Sequence, residues 1–570
     1  MILLFALIGR LVQIQLVSSE SFTKHHINLI QSSVNQRTQV LSIDSGRGKF
    51  YDRNGEPLGH EEVPALVLFP FLKGMDWPSK KVAQAAGISE SDLLSAVNKA
   101  QKPFAYGGKT PLYLTDTQMD EINSLKIPGV FAISQSVAKK MPAEQLIGTL
   151  TKWESRKKQL YPRQNLSPEA HVGNTGLQAA FDEFLLSEGE SKLVFHVDGI
   201  GGPLFGVDVK YVEPANPLYP VRVITTLDKE LQAAAEDLTD KLQIHNGGLL
   251  LLNIETSEIR ALVSRPAIHK KNPNIGSENN MFSQAKLGSV FKTVIAAAAI
   301  DYQLVKPGQV FDCNVTINGA IDEKRRLGTL DFEESFAQSC NRTFGDLAIQ
   351  LTQINPDILE NYARKLNIIG PSGWQGQVFH SEIKQLFNEE QGKVWDQNTD
   401  KKDKRLAAHT GIGQQDVQVT PLAAANMMAT IARGGESRMV KAVSKVTFKN
   451  GSTVVEFPNK KLDSDSISPY TAMKLQTMLR KVVIEEKGTG RVFQGLPYEV
   501  AGKSGTAQTG KMKDGKELYN KWFAGYFPYK NPRYALVAVN LEVPEDSGGI
   551  NPLFHKMVME VYRHDQNKND

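Results

Sequence analysis

At 570 residues the chain has room for about four domains at roughly 150 residues each, and its 41% hydrophobic and 22% charged residues are those of globular protein. Wholesale disorder, a collagen repeat and a many-span membrane protein are excluded. Its 66 basic and 62 acidic residues leave a formal charge of +4, too small and dispersed to mark a nucleic-acid binder, so partners must be read from sites.

The chain opens on an apolar stretch, Met1 to Gly9, followed by an amphipathic one, Arg10 to Val17. Seventeen helical residues cover about 25 Å against roughly 30 Å of hydrocarbon. Residues 1–18 are therefore expected to be part of a signal anchor or transmembrane segment, the alternative being an amphipathic helix docked on protein. From 19 to 217, short apolar alternations broken by Gly, Pro and Lys predict one irregular α+β domain. Pro214-Ala-Asn-Pro217 marks a boundary, and a second domain is expected over 218–562. Val221 to Thr225 reads as a strand, after which Asp228 caps a helix carrying Leu231, Ala234, Ala235 and Leu238. Gly247 to Asn253 and Glu258 to Ser264 read as adjacent strands. Lys521 to Pro528 and Tyr534 to Val543 bring the sheet back near the end, the last with Ala535, Val537, Val539 and Leu541 on one face. Between them lies a helical middle, about Ser289 to Arg433, whose polar insertion Gly370 to Arg405 is expected to be a mobile loop. The polar tail, 563–570, is expected to be disordered. The only cysteines are Cys313 and Cys340, which rules out a disulfide framework; Cys340 is expected to pack as a small apolar residue rather than bridge.

The segment Gly288 to Ile300 is apolar on nearly every face after Lys292 and should be buried. Ser289 and Lys292, spaced i, i+3, share one face of its first turn. A lysine kept neutral there by desolvation, the helix dipole and a second cation can deprotonate the serine, giving a nucleophile and base without histidine. Ser-x-x-Lys also starts at Ser21, Ser136, Ser155, Ser283 and Ser381. Only the pair at 289 opens a long buried helix with Ser339-Cys-Asn341 and Lys503-Ser-Gly505 following in order. Ser339 can relay a proton between Lys292 and a leaving amine, and the Asn341 amide can hold a peptide group. Val500 to Gln508 reads as an edge strand on which Gly505 leaves room for an extended peptide. Lys503 supplies the second cation, Ser504 and Thr506 can bind a substrate carboxylate, and the backbone N–H groups of Ser289 and Thr506 can form an oxyanion hole. Gly502-Lys-Ser504 is not a phosphate loop, because Pro497 stands where that loop needs glycine. No histidine spacing suits a metal, and no cofactor is expected.

At these motifs the sequence resembles the penicillin-binding transpeptidases, and among them the class B penicillin-binding proteins. The resemblance extends to Arg47-Gly with Asp52-Arg-Asn-Gly55, to Gly173-Asn-Thr-Gly-Leu-Gln178 through Asp182, and to Thr225-Thr-Leu-Asp-Lys229. It continues through Gly411-Ile-Gly-Gln414 and Trp522 to Pro528. Arg10 to Gln15 is similar to the outer end of the family's anchor. Three departures stand out: Gln178 where glutamate is usual, Leu287 in place of a common proline, and Ser504 in place of threonine. The resemblance implies a multidomain α+β chain. Its penicillin-binding, serine β-lactamase-like transpeptidase domain would combine an antiparallel sheet flanked by helices with a helical subdomain, and an elongated α+β N-terminal pedestal or dimerisation-like domain would support it. It further implies a single-pass protein of the cytoplasmic membrane with its catalytic domain outside. That protein would cross-link peptidoglycan stem peptides through a Ser289 acyl-enzyme, be inhibited by β-lactam antibiotics, and accompany a membrane glycan polymerase. A D,D-carboxypeptidase, a β-lactam hydrolase and a non-catalytic β-lactam sensor or scaffold are the alternatives.

Overall fold

The computed structural model describes the chain apart from residues 24–26, 109–111, 164–165, 167–169, 199–209, 215, 270, 273, 463–464 and 570, and apart from the side chains of 34–36 and 569. Residue 215 of the expected 214–217 boundary thus lies outside the described residues.

The C-terminal part is built on a five-stranded antiparallel sheet of β1 (Gly247–Asn253), β2 (Glu258–Arg265), β3 (Ala501–Lys513), β4 (Lys516–Phe527) and β5 (Tyr534–Pro544). The spatial order is β2-β1-β5-β4-β3, which leaves β3 on an edge. Four helices matter most: α1 (Lys292–Asp301), α2 (Phe332–Ala337), α3 (Asn341–Ile354) and α4 (Asn551–Asn569). The run of four leucines in β1 is apolar throughout because both faces of the sheet are covered. Leu250 and Leu252 pack in one core with α1 and the helix Pro421–Ala432. Leu249 and Leu251 pack in another with α4 and the helix Lys229–Lys241. Every residue of α1 from Lys292 to Ala299 is buried, so this helix runs through the core.

Two expectations are overturned. Residues 563–569 form the end of α4. Their charged side chains are held by a distant partner: Asp228, which caps Leu231 N at 3.3 Å, also pairs with His564 Nε2 at 3.2 Å and Lys568 Nζ at 3.0 Å. Asp565 accepts from the hydroxyls of Tyr498 and Tyr534 at 2.7 and 2.8 Å. The insertion 370–405 is ordered around a hairpin, Gln375–Val378 with Ser381–Lys384, and it buries Trp374, Val394 and Trp395. A few apolar anchors suffice where the average composition is polar.

In the N-terminal part, helices Ser79–Ala86, Glu90–Lys99 and Asp116–Ser124 bury Val82, Leu93 and Ile122 with Leu66, Leu68 and Val130 of a small antiparallel sheet. A second sheet joins Thr38–Asp44, Ser191–His196 and Lys210–Val212. Lys49–Tyr51 leaves this region to pair in parallel with Arg222–Thr225, itself paired with Val443–Thr447. Beside it the Arg47 guanidinium is buried against Asp182 Oδ1 (2.7 Å) and Gln178 Oε1 (2.9 Å), joining two segments that the sequence separates by more than a hundred residues. Residues Ile2–Val12 are helical and continue into one wide turn, Gln13–Val17, with no residue buried. No helix among the described residues is long and apolar enough to cross a membrane.

Candidate active site

Ser289 lies in a single 3₁₀ turn, Gly288–Phe291, that feeds directly into α1 at Lys292. The turn is possible because Gly288 takes φ +61°, and it leans on β3: a Cβ on Gly288 would lie 2.4 Å from Thr506 O. Ser289 is half-buried, whereas Lys292 has no exposed surface.

The Lys292 amine is held by one short turn. Its Nζ lies 2.8 Å from Ser339 O, 3.0 Å from Ser339 Oγ and 2.8 Å from Asn341 Oδ1. That turn links α2 to α3 and depends on Ser339 adopting φ +59°, which turns its carbonyl and hydroxyl to the same side as the Asn341 amide. Cys340, between them, points into the packing and forms a disulfide with Cys313. The expectation of an unbridged Cys340 is therefore corrected. Residue type gave no cue, because the bridge depends on a loop bringing Cys313 within 5.9 Å of it, Cα to Cα.

Lys503 is wholly buried on β3, with its Nζ 5.7 Å from the centre of the Phe336 ring. Lys292 Nζ sits 5.7 Å over Phe344, and the two rings meet edge to face at 5.8 Å. The two amine nitrogens thus lie over adjoining aromatic rings. Burial pushes Lys292 well below its ordinary range, and the charges of Lys503 and Arg325 push it further. Burial, then Arg325, brings Lys503 down to about 7. A neutral Lys292 amine donates twice, to Ser339 O and Asn341 Oδ1, and accepts from Ser339 Oγ–H. It is a base wired to a hydroxyl that can carry its proton onward.

The structure brings Lys292, Ser339, Asn341 and Lys503 together, with Ser289 in the turn that enters α1 and Ser504, Gly505 and Thr506 following Lys503 on β3. Ser504 Oγ donates to Thr489 Oγ1 at 2.9 Å, and Thr506 is exposed on the strand edge. Gly505 differs from its expected use. Its missing Cβ would point inward, 2.7 Å from Leu287 O and 3.0 Å from Val290 Cγ2, so glycine is demanded by the close approach of the Ser289 turn rather than by an incoming peptide. Leu287 is itself fully buried, fixing the helix entry by packing. Sequence reasoning missed Arg325 and Thr489, both on irregular segments without a periodic signal. Among the described residues one metal-like trio occurs, Asp228, Glu230 and His564, away from this point. Lys568 already occupies Asp228 there, and the neighbouring Asp228 and Asp565 carboxylates raise His564 to about 9, so at neutral pH it carries the proton that a ligand must lose.

A serine and a buried amine at the head of a core helix, flanked by an edge strand, define a serine acyl-transfer fold. Residues 247–559 match the family model described as penicillin binding protein transpeptidase domain, and the chain belongs to that family as a class B penicillin-binding protein. It is 25% identical to stage V sporulation protein D of Bacillus subtilis, over 92% of this chain and 77% of that protein. It is 24% identical to penicillin-binding protein 3 of the same organism, over 92% and 78%. Against the peptidoglycan D,D-transpeptidase MrdA of Haemophilus influenzae the identity is 21%, over 98% and 89%. A solved chain described under "Structural coordination of polymerization and crosslinking by a peptidoglycan synthase complex" shares the fold with a TM-score of 0.63, covering 98% of this chain and 96% of that one at 21% identity.

Proposed function

We propose that the protein is a peptidoglycan D,D-transpeptidase. Lys292, as free base, takes the proton of Ser289 Oγ while that oxygen attacks the carbonyl of the penultimate D-alanine of a stem peptide. Backbone N–H groups of Ser289 and Thr506 hold the oxyanion, and Lys503 with Ser504 and Thr506 holds the terminal carboxylate. The proton passes through Ser339 to the departing D-alanine amine, leaving an ester on Ser289. An amine of a second stem peptide then attacks the ester, and its proton passes through Lys292 to Ser289 Oγ as the ester C–O bond breaks, forming the cross-link and restoring the serine hydroxyl and the neutral amine. A β-lactam opens on the same serine and leaves no amine to depart.

The observation that carries this reading is the Lys292 amine, which is buried and, among the described residues, has no carboxylate partner and bonds only Ser339 and Asn341. The names of the MrdA relatives support the reaction, and the synthase-complex structure supports a membrane glycan polymerase as partner. The apolar stretch 1–9 with its amphipathic continuation to 17 supports a single-pass anchor that leaves the catalytic part, 218–562, on the outer face, with 19–217 as its pedestal. The test supplies a D-alanyl-D-alanine donor and a labelled amine. Label joined to donor, with D-alanine released, is expected. D-alanine released with no label joined would make the protein a carboxypeptidase, and penicillin turned over to penicilloate would make it a hydrolase.

A further inference from the structure

The carbonyl oxygen of Ser339 has a second donor besides Lys292: Arg325 Nη1, at 3.4 Å. The other guanidinium nitrogen, Nη2, donates to Gln338 O, one residue earlier in the turn. Arg325 arrives there on a built loop. Strands Val310–Asp312 and Thr329–Asp331 close its base. Gly328 N donates to Asn314 Oδ1 at 3.0 Å, and Asp322 Oδ1 accepts from the backbone of Lys324 and Arg325 at 3.1 and 2.9 Å. The Cys313–Cys340 bridge ties the start of the loop to the turn itself. One segment therefore grips residues 338–340 three times.

We propose that Arg325 is a positioning residue of the acylation site: it holds the Ser339 turn against Lys292 and supplies a fixed cation beside the two titratable amines of Lys292 and Lys503. This inference rests on the transpeptidase reading for its purpose, though not for its geometry. A guanidinium keeps its charge at every working pH, and a charge one shared oxygen away from Lys292 disfavours a second charge on that amine. Among the described residues, Ser339 and Asn341 from the α2–α3 turn bond Lys292, and the charges acting on it are Lys503 from β3 and Arg325 from the loop, the latter accompanied by Asp322. Asp322 is the only carboxylate of that set, and it faces Arg325 rather than Lys292. The arrangement uses arginine as a permanent charge where lysine is the group that must change state.

The test is a titration of Lys292 in the resting full chain, read by 13Cε-lysine NMR with the resonance assigned by Lys292→Ala, in wild type, Arg325→Gln and Arg325→Lys. Arg325→Gln is expected to move the midpoint up by about one pH unit, a tenfold change in the free-amine fraction, and Arg325→Lys to restore most of it. Coincident wild-type and Arg325→Gln titrations, or an Arg325→Lys titration displaced as far as that of Arg325→Gln, would overturn the inference. Penicillin labelling of the same samples tests the transpeptidase reading separately. Wild type labelled on Ser289 with no shift in Arg325→Gln sinks only the inference, and a shift in a protein that never labels sinks only the reading.

Discussion

Asn341 Oδ1 lies 2.8 Å from Lys292 Nζ, although the two residues belong to different helices and are 49 positions apart. An amide oxygen can accept and cannot give a proton, so it fixes the amine without competing for its lone pair. The Ser339 carbonyl acts likewise. Of the three oxygens around Lys292, only Ser339 Oγ carries a hydrogen, and this orders the traffic of the proton.

Replacing Ser289 by alanine removes the nucleophile and leaves the turn's backbone alone. Covalent labelling by a fluorescent penicillin is expected to vanish, while the melting temperature stays within the range of a surface substitution. Labelling that persists in the folded variant would place the nucleophile elsewhere.

Lys503 makes the stability of the fold depend on alkaline pH. It titrates near 10.5 when unfolded and near 7 when buried. Below the lower value both states hold the proton, and the full cost of burying the charge stands. Between the two values the unfolded chain holds more protons, so stability rises with pH, at about 1.4 kcal/mol per unit for a single site. Urea unfolding at several pH values across this window should therefore show a steeper rise for wild type than for Lys503→Met. Parallel lines would mean that Lys503 is solvated.

The sheet and the buried helix α1 were legible in the sequence because their signals are local: the leucines of β1, the alternation of β5 and the apolar run after Lys292 each lie within a dozen residues. Ser339 and Asn341 were legible as a pair by the order of motifs, and their shared grip on Lys292 required only that a short turn expose both. What escaped was set by distant contacts. Residues 563–569 look unstructured until Asp228 is placed beside them, and the insertion 370–405 looks mobile until Trp374 and Trp395 find the core. Arg325 looks like one basic residue among several on a polar loop. Cys313 gives no hint of its partner until the loop folds.

The Cys313–Cys340 bridge closes a stretch of 27 residues that includes Arg325. A loop of this length confers about 3.5 kcal/mol by restricting the unfolded chain. The double variant Cys313→Ala, Cys340→Ala is expected to lose about that much in denaturant unfolding. Its acylation by penicillin should also slow, because Ser339 and Asn341 flank the lost bridge. A variant as stable as the parent, or free thiols detected by alkylation of the folded wild type, would show that the bridge does not hold the turn.

Gly505 tests how tightly the nucleophile's backbone is set. A methyl group there would come within 2.7 Å of Leu287 O, 3.0 Å of Val290 Cγ2 and 3.3 Å of Trp522 Cβ. Trp522 belongs to β4 and is packed in the core, so it cannot yield; the turn carrying Ser289 must move instead. Overpacking of this kind costs about 1–3 kcal/mol in stability, whereas displacing a reacting oxygen by about 1 Å can cost roughly 100-fold in rate. Gly505→Ala should therefore lose far more acylation than stability, and the loss should appear in the acylation rate constant rather than in the initial affinity for penicillin. A fall in stability with acylation intact would mean that the turn absorbs the methyl without moving Ser289.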